Sequence, residues 1–136
     1  MNIDGGETSH RGFEADLAYT YSENLKARLA FTYAKHQYEN NPALVNSPVS
    51  GNEIDTAPKT IGTLTIEWLP TEQFYLELEW IHVGDYFEDP QNEHGYEGHN
   101  LLNLRLNYQL SNSTKISARI MNLTDEDYAE RADYSF

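Results

Sequence analysis

Residues 98–130 read GHNLLNLRLNYQLSNSTKISARIMNLTDEDYAE, and the spacing of their apolar side chains decides the fold. Leu102, Leu104, Leu106 and Tyr108 alternate with Asn103, Arg105 and Asn107. After a turn at 111–113, Ile116, Ala118 and Ile120 alternate with Lys115, Ser117 and Arg119. Successive side chains of a strand point to opposite faces. A period of two on both arms of a short connection therefore predicts an antiparallel hairpin with one apolar and one polar face.

The same plan recurs upstream. Phe13, Ala15, Leu17, Tyr19 and Tyr21 alternate with Glu14, Asp16, Ala18 and Thr20. Leu25, Ala27, Leu29, Phe31 and Tyr33 alternate with Lys26, Arg28, Ala30 and Thr32. A second hairpin sets Gly62, Leu64, Ile66 and Trp68 beside Phe74, Leu76, Leu78 and Trp80, with Thr63, Thr65, Glu67, Tyr75, Glu77 and Glu79 on the opposite face. The reading is all-β, an antiparallel up-and-down sheet of about six strands, at approximately 10–21, 25–34, 60–68, 74–82, 100–109 and 115–121. Short turns near 22–24, 69–73 and 110–114 alternate with long connections at 34–58, 82–99 and from 122 onward. All short turns thus fall at one end of the sheet, and all five prolines are expected in connections, where no ladder hydrogen bond is lost.

Composition narrows the function classes. Ten Tyr, five Phe and two Trp are too many aromatics for an acidic disordered segment. A net charge of −13 leaves no basic stripe for a nucleic-acid backbone. The absence of cysteine removes disulfides, thiolate nucleophiles and thiolate metal sites. No apolar run reaches the length of a membrane helix, which says nothing about membrane strands, because those alternate. No nucleophile stands with a companion base and no Gly-rich phosphate loop is present, so no enzyme and no cofactor is expected.

Alternation alone does not distinguish a soluble sandwich from a membrane barrel. Three features favour the barrel. The apolar face reads as uncharged on all six strands. Aromatics cluster toward the strand ends, as in membrane-interface belts. The strands have about the 9–11 residues that a tilted strand needs to cross a bilayer. The opposite face then becomes a candidate lumen lining of Glu14, Asp16, Lys26, Arg28, Glu67, Glu77, Glu79, Arg105 and Arg119, with opposite charges on neighbouring strands. Six strands are too few to close such a barrel, and an open sheet leaves edges that lipid does not satisfy. Part of a larger barrel is expected. A self-contained soluble β-sandwich or small barrel, binding a ligand such as a carbohydrate through its long loops, remains open on the alternation alone.

The segments GNEIDTAPK (51–59), IEWLP (66–70), YLELEWIHVGDYFEDPQNEHGYEGHNLLNLRLNYQL (75–110) and ARIMNLTDEDYAERADYSF (118–136) resemble the C-terminal barrel of TonB-dependent outer-membrane receptors of the iron-complex type. Most specific are the runs at 98–105 and 122–129. The resemblance implies a 22-stranded transmembrane β-barrel in the bacterial outer membrane, filled by a plug and energised by TonB, taking up a ferric chelate such as a siderophore. It further implies that the plug, the TonB-engaging motif and the final strand are missing from this stretch, with Phe136 in a loop rather than at a barrel end. The partners implied are outer-membrane lipid, the remaining barrel and plug, TonB, and an iron chelate.

One long connection carries chemistry. Asp85, Tyr86, Glu88, Asp89, His94 and Tyr96, with His82 and His99 nearby, form a candidate extracellular ligand loop. Its spacing fits neither an EF-hand nor a zinc signature, so no metal site is expected there and a solvated loop is the plainer reading. Most of the 22 acidic residues lie outside the strands, which makes the long-loop end strongly negative.

Overall fold

The computed structural model describes residues 6–40, 49–130 and 132. Six strands form one antiparallel sheet: β1 (Glu7–Ser22), β2 (Leu25–Asn40), β3 (Thr60–Thr71), β4 (Phe74–Val83), β7 (His99–Ser111) and β8 (Thr114–Ile120). They lie in the order β1-β2-β3-β4-β7-β8, so every large-sheet strand pairs with its neighbour in sequence. A two-stranded ribbon, β5 (Tyr86–Phe87) with β6 (Gly95–Tyr96), sits inside the connection between β4 and β7.

Register converts the alternation into two continuous faces. One row sets Tyr19, Ala27, Ile66, Leu78, Leu104 and Ile120 side by side, and another sets Leu17, Leu29, Leu64, Trp80 and Leu102. The adjacent row on the other face is Thr20, Lys26, Glu67, Glu77, Arg105 and Arg119. Bulky rings bound the apolar face. Tyr19, Tyr21, Trp68, Phe74 and Tyr108 stand toward the short turns. Phe13, Phe31, Tyr33 and Trp80 stand toward the long connections. Such belts suit an amphipathic ring at a boundary between hydrocarbon and water.

The sheet has no hydrophobic core. Among the described residues the buried apolar side chains are Val49 and Tyr86, and neither belongs to the six-stranded sheet. Leu17, Leu110 and Ile116 are more than half exposed. A soluble sandwich would cover these side chains with a second sheet about 10 Å away. Among the described residues no second sheet of that kind is present, since the other strands are the two short segments of the ribbon.

Three expectations are corrected. β1 and β2 run for 16 residues each, because Thr8, Ser9, His10 and Arg11 pair with Tyr38, Gln37, His36 and Lys35. Periodicity missed the extension because Thr8, Ser9, His36 and Gln37 are polar on both faces and so display no apolar row. Arg11, inside the expected strand at 10–21, and Lys35, in the extension of β2, both fall on the apolar side, so that side is charged at its upper end. Finally, Pro70 lies within β3, at the register shift between Trp68 and Thr71, where a bulge removes the need for its missing N–H. Pro42 and Pro48 lie outside the described residues.

The connection between β4 and β7 closes at Gly98, which has φ +81°. A Cβ there would collide with the Val83 carbonyl oxygen and the Gly84 backbone. Gly98→Ala is therefore expected to destabilise the detergent-solubilised protein by about 1–3 kcal/mol. A denaturant titration with an unchanged midpoint would contradict this account of the loop base.

Candidate functional site

The polar face holds a band of charge. Glu77 accepts from Arg105 at 3.0 Å and from the Tyr75 hydroxyl at 2.5 Å. Arg28 donates to Asp16 at 2.7 Å. Asn103 is buried and donates to Glu79 at 2.8 Å, while its carbonyl oxygen accepts the Asn122 N–H at 2.9 Å. Asn103 thus ties the sheet to the segment beyond β8. Asn122 has φ 51° and continues the brace, donating to the Glu126 carbonyl and accepting the Glu126 N–H, each at 2.9 Å.

Above this band the connections fold against one another. The 49–59 segment runs along the upper part of β2: Tyr38 N–H donates to Asn52 O, Gly51 N–H to Tyr38 O, and Ile54 N–H to His36 O. It is joined to the 84–98 segment through side chains. Asn92, at φ 61°, accepts the Glu53 N–H at 2.8 Å and donates to the Glu53 carbonyl at 2.9 Å. Asn52 donates to the carbonyls of Pro90 and Gln91. Lys59 bridges both segments, 3.1 Å from Glu53 and 3.2 Å from Asp85. Burial pulls the Lys59 ammonium down, but these two carboxylates outweigh it and raise the pKa. Burial, and then Asp55 accepting its hydroxyl at 2.6 Å, push the Tyr38 phenol up to about 12.

Asp89 is the buried acid of the 84–98 segment. Its carboxylate accepts the N–H of Glu93 at 3.1 Å and of His94 at 2.6 Å. Burial pushes its pKa up, yet those two backbone donors and the neighbouring His94 outweigh burial and hold it below the usual carboxylate value.

An aromatic cluster stands at the same end. Tyr86 and Tyr96 pack 5.2 Å apart, His99 lies 5.9 Å from Tyr96, and Tyr128 lies 4.8 Å from His99, all between ring centroids. The Tyr96 hydroxyl meets His99 Nδ1 at 2.9 Å and accepts the Ala129 N–H at 3.1 Å, and the Tyr86 hydroxyl accepts the Ala132 N–H at 2.8 Å. The segment after β8 is thereby drawn over the β5–β6 ribbon. Beneath it opens a cavity of about 510 Å³ lined by Tyr86, His99, Tyr128, Ile61, Val83 and Glu130, among others.

The structure sorts the expected residues. Glu14, Asp16, Lys26, Arg28, Glu67, Glu77, Glu79, Arg105 and Arg119 share the polar face. Within the loop, Asp85 pairs with Lys59, Asp89 is committed to backbone donors, and Glu88 N–H donates to the His94 carbonyl. Tyr86 and Tyr96 join the aromatic cluster, and His94 lies beside Asp89 at 3.4 Å. Among the described residues, no three of His, Asp and Glu converge on a metal-sized site. The braces Asn52, Asn92, Asn103 and Lys59 were not singled out from sequence. A signal existed for Asn92 alone, which follows Asp89-Pro90 at a spacing suited to a turn.

These features match a known architecture. The chain belongs to the TonB dependent receptor-like β-barrel family, whose profile it matches over residues 1–123. Members of this family are outer-membrane barrels. The fold is similar to the ferric yersiniabactin uptake receptor FyuA of Yersinia pestis, with a TM-score of 0.74 and 17% identity over 89% of this chain and 19% of that one. It is similar to the siderophore receptor PiuA of Acinetobacter baumannii, with a TM-score of 0.78 and 18% identity over 89% and 18%. For the ferric citrate transporter FecA the TM-score is 0.78, with 20% identity over 90% and 20%. The chain spans about a fifth of the length of these receptors. No curated protein matches the sequence.

Two outcomes follow for the loop. Asp89→Ala removes the charged acceptor of the Glu93 and His94 N–H groups, at a local cost of about 1.5–3 kcal/mol. Amide exchange at Glu93 and His94 should accelerate by at least tenfold, while exchange in β7 stays unchanged; equal exchange in wild type and variant would refute the brace. Because the folded pKa of Asp89 is depressed, its contribution is present above the unfolded value of about 3.9 and is lost only as pH falls through the lower folded value. Protection of these two amides should therefore persist at about pH 4. Its loss between about pH 5 and 4.5 would contradict the assignment.

Proposed function

We propose that this chain forms wall and extracellular loops of a TonB-dependent outer-membrane receptor that takes up a ferric chelate, such as a siderophore. The observation that carries it is a one-layer sheet whose uncored apolar face lies between two aromatic belts, in a chain of the receptor family. Lipid covers that face, and the charged face lines the lumen. The outer edges of β1 and β8 are unpaired among the described residues, and they pair with neighbouring strands of a larger, 22-stranded barrel. The plug fills that barrel, and TonB acts through it. In this arrangement the chain binds and conducts rather than catalyses.

The mouth assigns roles to the loops. Asp89, Asn92 and Lys59 brace the connections, and the cavity beneath Tyr86, His99 and Tyr128 presents aromatic surface to an arriving ligand. Iron chelates carry planar or apolar parts that such rings hold without a formal charge match. The acidic character of the loop end favours a chelate that is neutral or cationic overall.

Disrupting the gene in iron-limited cells should abolish energy-dependent uptake of radiolabelled iron from at least one of ferric citrate, a hydroxamate chelate or a catecholate chelate. Restoring the gene should restore that uptake, and a protonophore should remove it again. Unchanged uptake of all three in the disrupted strain would contradict the proposed transport role.

A further inference from the structure

The apolar face carries no charge from Phe13 to Tyr21 on β1 or from Leu25 to Tyr33 on β2. Immediately above, the same face presents Arg11 and Lys35, which stand directly opposite each other in register. Both are exposed, and neither has an ion pair or side-chain hydrogen bond among the described residues. The other cations on the large sheet, Lys26, Arg28, Arg105, Lys115 and Arg119, all lie on the polar face. Two like charges held opposite each other across a strand pair are unfavourable unless an anion lies between them.

Their height is informative. About ten residues separate Arg11 from Tyr21 and Lys35 from Leu25, roughly 33 Å of strand, which a barrel-like tilt reduces to the roughly 25 Å of a lipid-facing band. Directly below the cations lie Phe13, Phe31 and Tyr33, with Phe13 6.2 Å from Phe31 and 5.9 Å from Tyr33 between ring centroids. The pair therefore stands at headgroup level, just above an aromatic belt.

We propose that Arg11 and Lys35 form a clamp for the phosphate of an outer-leaflet lipid headgroup. This rests on the membrane orientation proposed above. Arginine supplies a planar fork that meets phosphate oxygens two at a time, and lysine supplies a compact charge from the facing strand. The rings below accept the first part of the acyl or sugar region. A lipid is favoured over a soluble anion because the net charge of −13 repels free anions, whereas a membrane holds headgroups at this height whatever the bulk concentration.

The test starts from outer membranes of cells producing the protein. Protein solubilised from them in zwitterionic detergent is titrated with lipid A, with dephosphorylated lipid A and with inorganic phosphate, and bound lipid is read by native mass spectrometry. Lipid A should bind, with the dephosphorylated form and inorganic phosphate at least about thirtyfold weaker, each cation contributing about fivefold. The double variant Arg11→Gln with Lys35→Gln should lose the same factor, Arg11→Lys with Lys35→Arg should retain most of it, and Lys115→Gln on the opposite face should match wild type. Equal binding of both lipid A forms by the unaltered protein overturns the clamp, with no variant needed. So does a double variant that reaches the outer membrane and binds as wild type. Absence of the unaltered protein from the outer-membrane fraction overturns the membrane reading and the clamp with it.

Discussion

A sheet with hydrocarbon on one face and water on the other depends on its register. Side chains alternate with a period of two, so a one-residue slip of any strand would drive charge into lipid and leucine into water. Here the register is continuous across six strands. Lys26, Glu67, Glu77, Arg105 and Arg119 stay in one row while Ala27, Ile66, Leu78, Leu104 and Ile120 stay in the next on the opposite face. A packed interior does not enforce this, because the sheet has none. Backbone pairing supplies the structure, and in the membrane setting proposed above the difference between two solvents selects which pairing is allowed.

That division also explains where order is built with side chains. Within the sheet, the backbone ladder satisfies the polar groups and side chains need only face the right way. Beyond it, the connections have no ladder of comparable length. They are held by amides and acids: Asn92 on Glu53, Asn52 on Pro90 and Gln91, Asp89 on Glu93 and His94, and Lys59 between two carboxylates. Asn103 and Asn122 link this apron to the strands below. The cavity lined by Tyr86, His99 and Tyr128 is consequently framed by elements held in place by side-chain hydrogen bonds.

Much of the sheet was legible because its chemistry repeats every second residue. The six strands, their neighbour-to-neighbour order and the sharing of one face by Glu77, Glu79 and Arg105 all follow from that period. The upper ends of β1 and β2, residues 7–9 and 35–40, were not legible: Thr8, Ser9, His36 and Gln37 are polar, and a polar run carries no alternation. The β5–β6 ribbon was hidden for a similar reason, being two residues per strand. The mouth was the least legible part. Its acids were visible as composition, but the commitment of Asp89 to backbone donors and of Asp85 to Lys59 depends on contacts between segments far apart in sequence. Arg11 already shared the parity of Phe13 within the expected strand and was overlooked, whereas Lys35 opposite it became evident only once the register of the extended hairpin was known.

The central claim is that the even-numbered residues of β7 face lipid and the odd-numbered ones face water. Since the chain contains no cysteine, single cysteines can be placed one at a time from 102 to 107 and spin-labelled in membranes of cells producing the protein. Labels at Leu102, Leu104 and Leu106 should collide mainly with oxygen dissolved in the bilayer, and labels at Asn103, Arg105 and Asn107 mainly with a water-soluble relaxation agent. Accessibility that is uniform along β7, or that alternates in the opposite phase, would contradict a membrane wall built from this sheet.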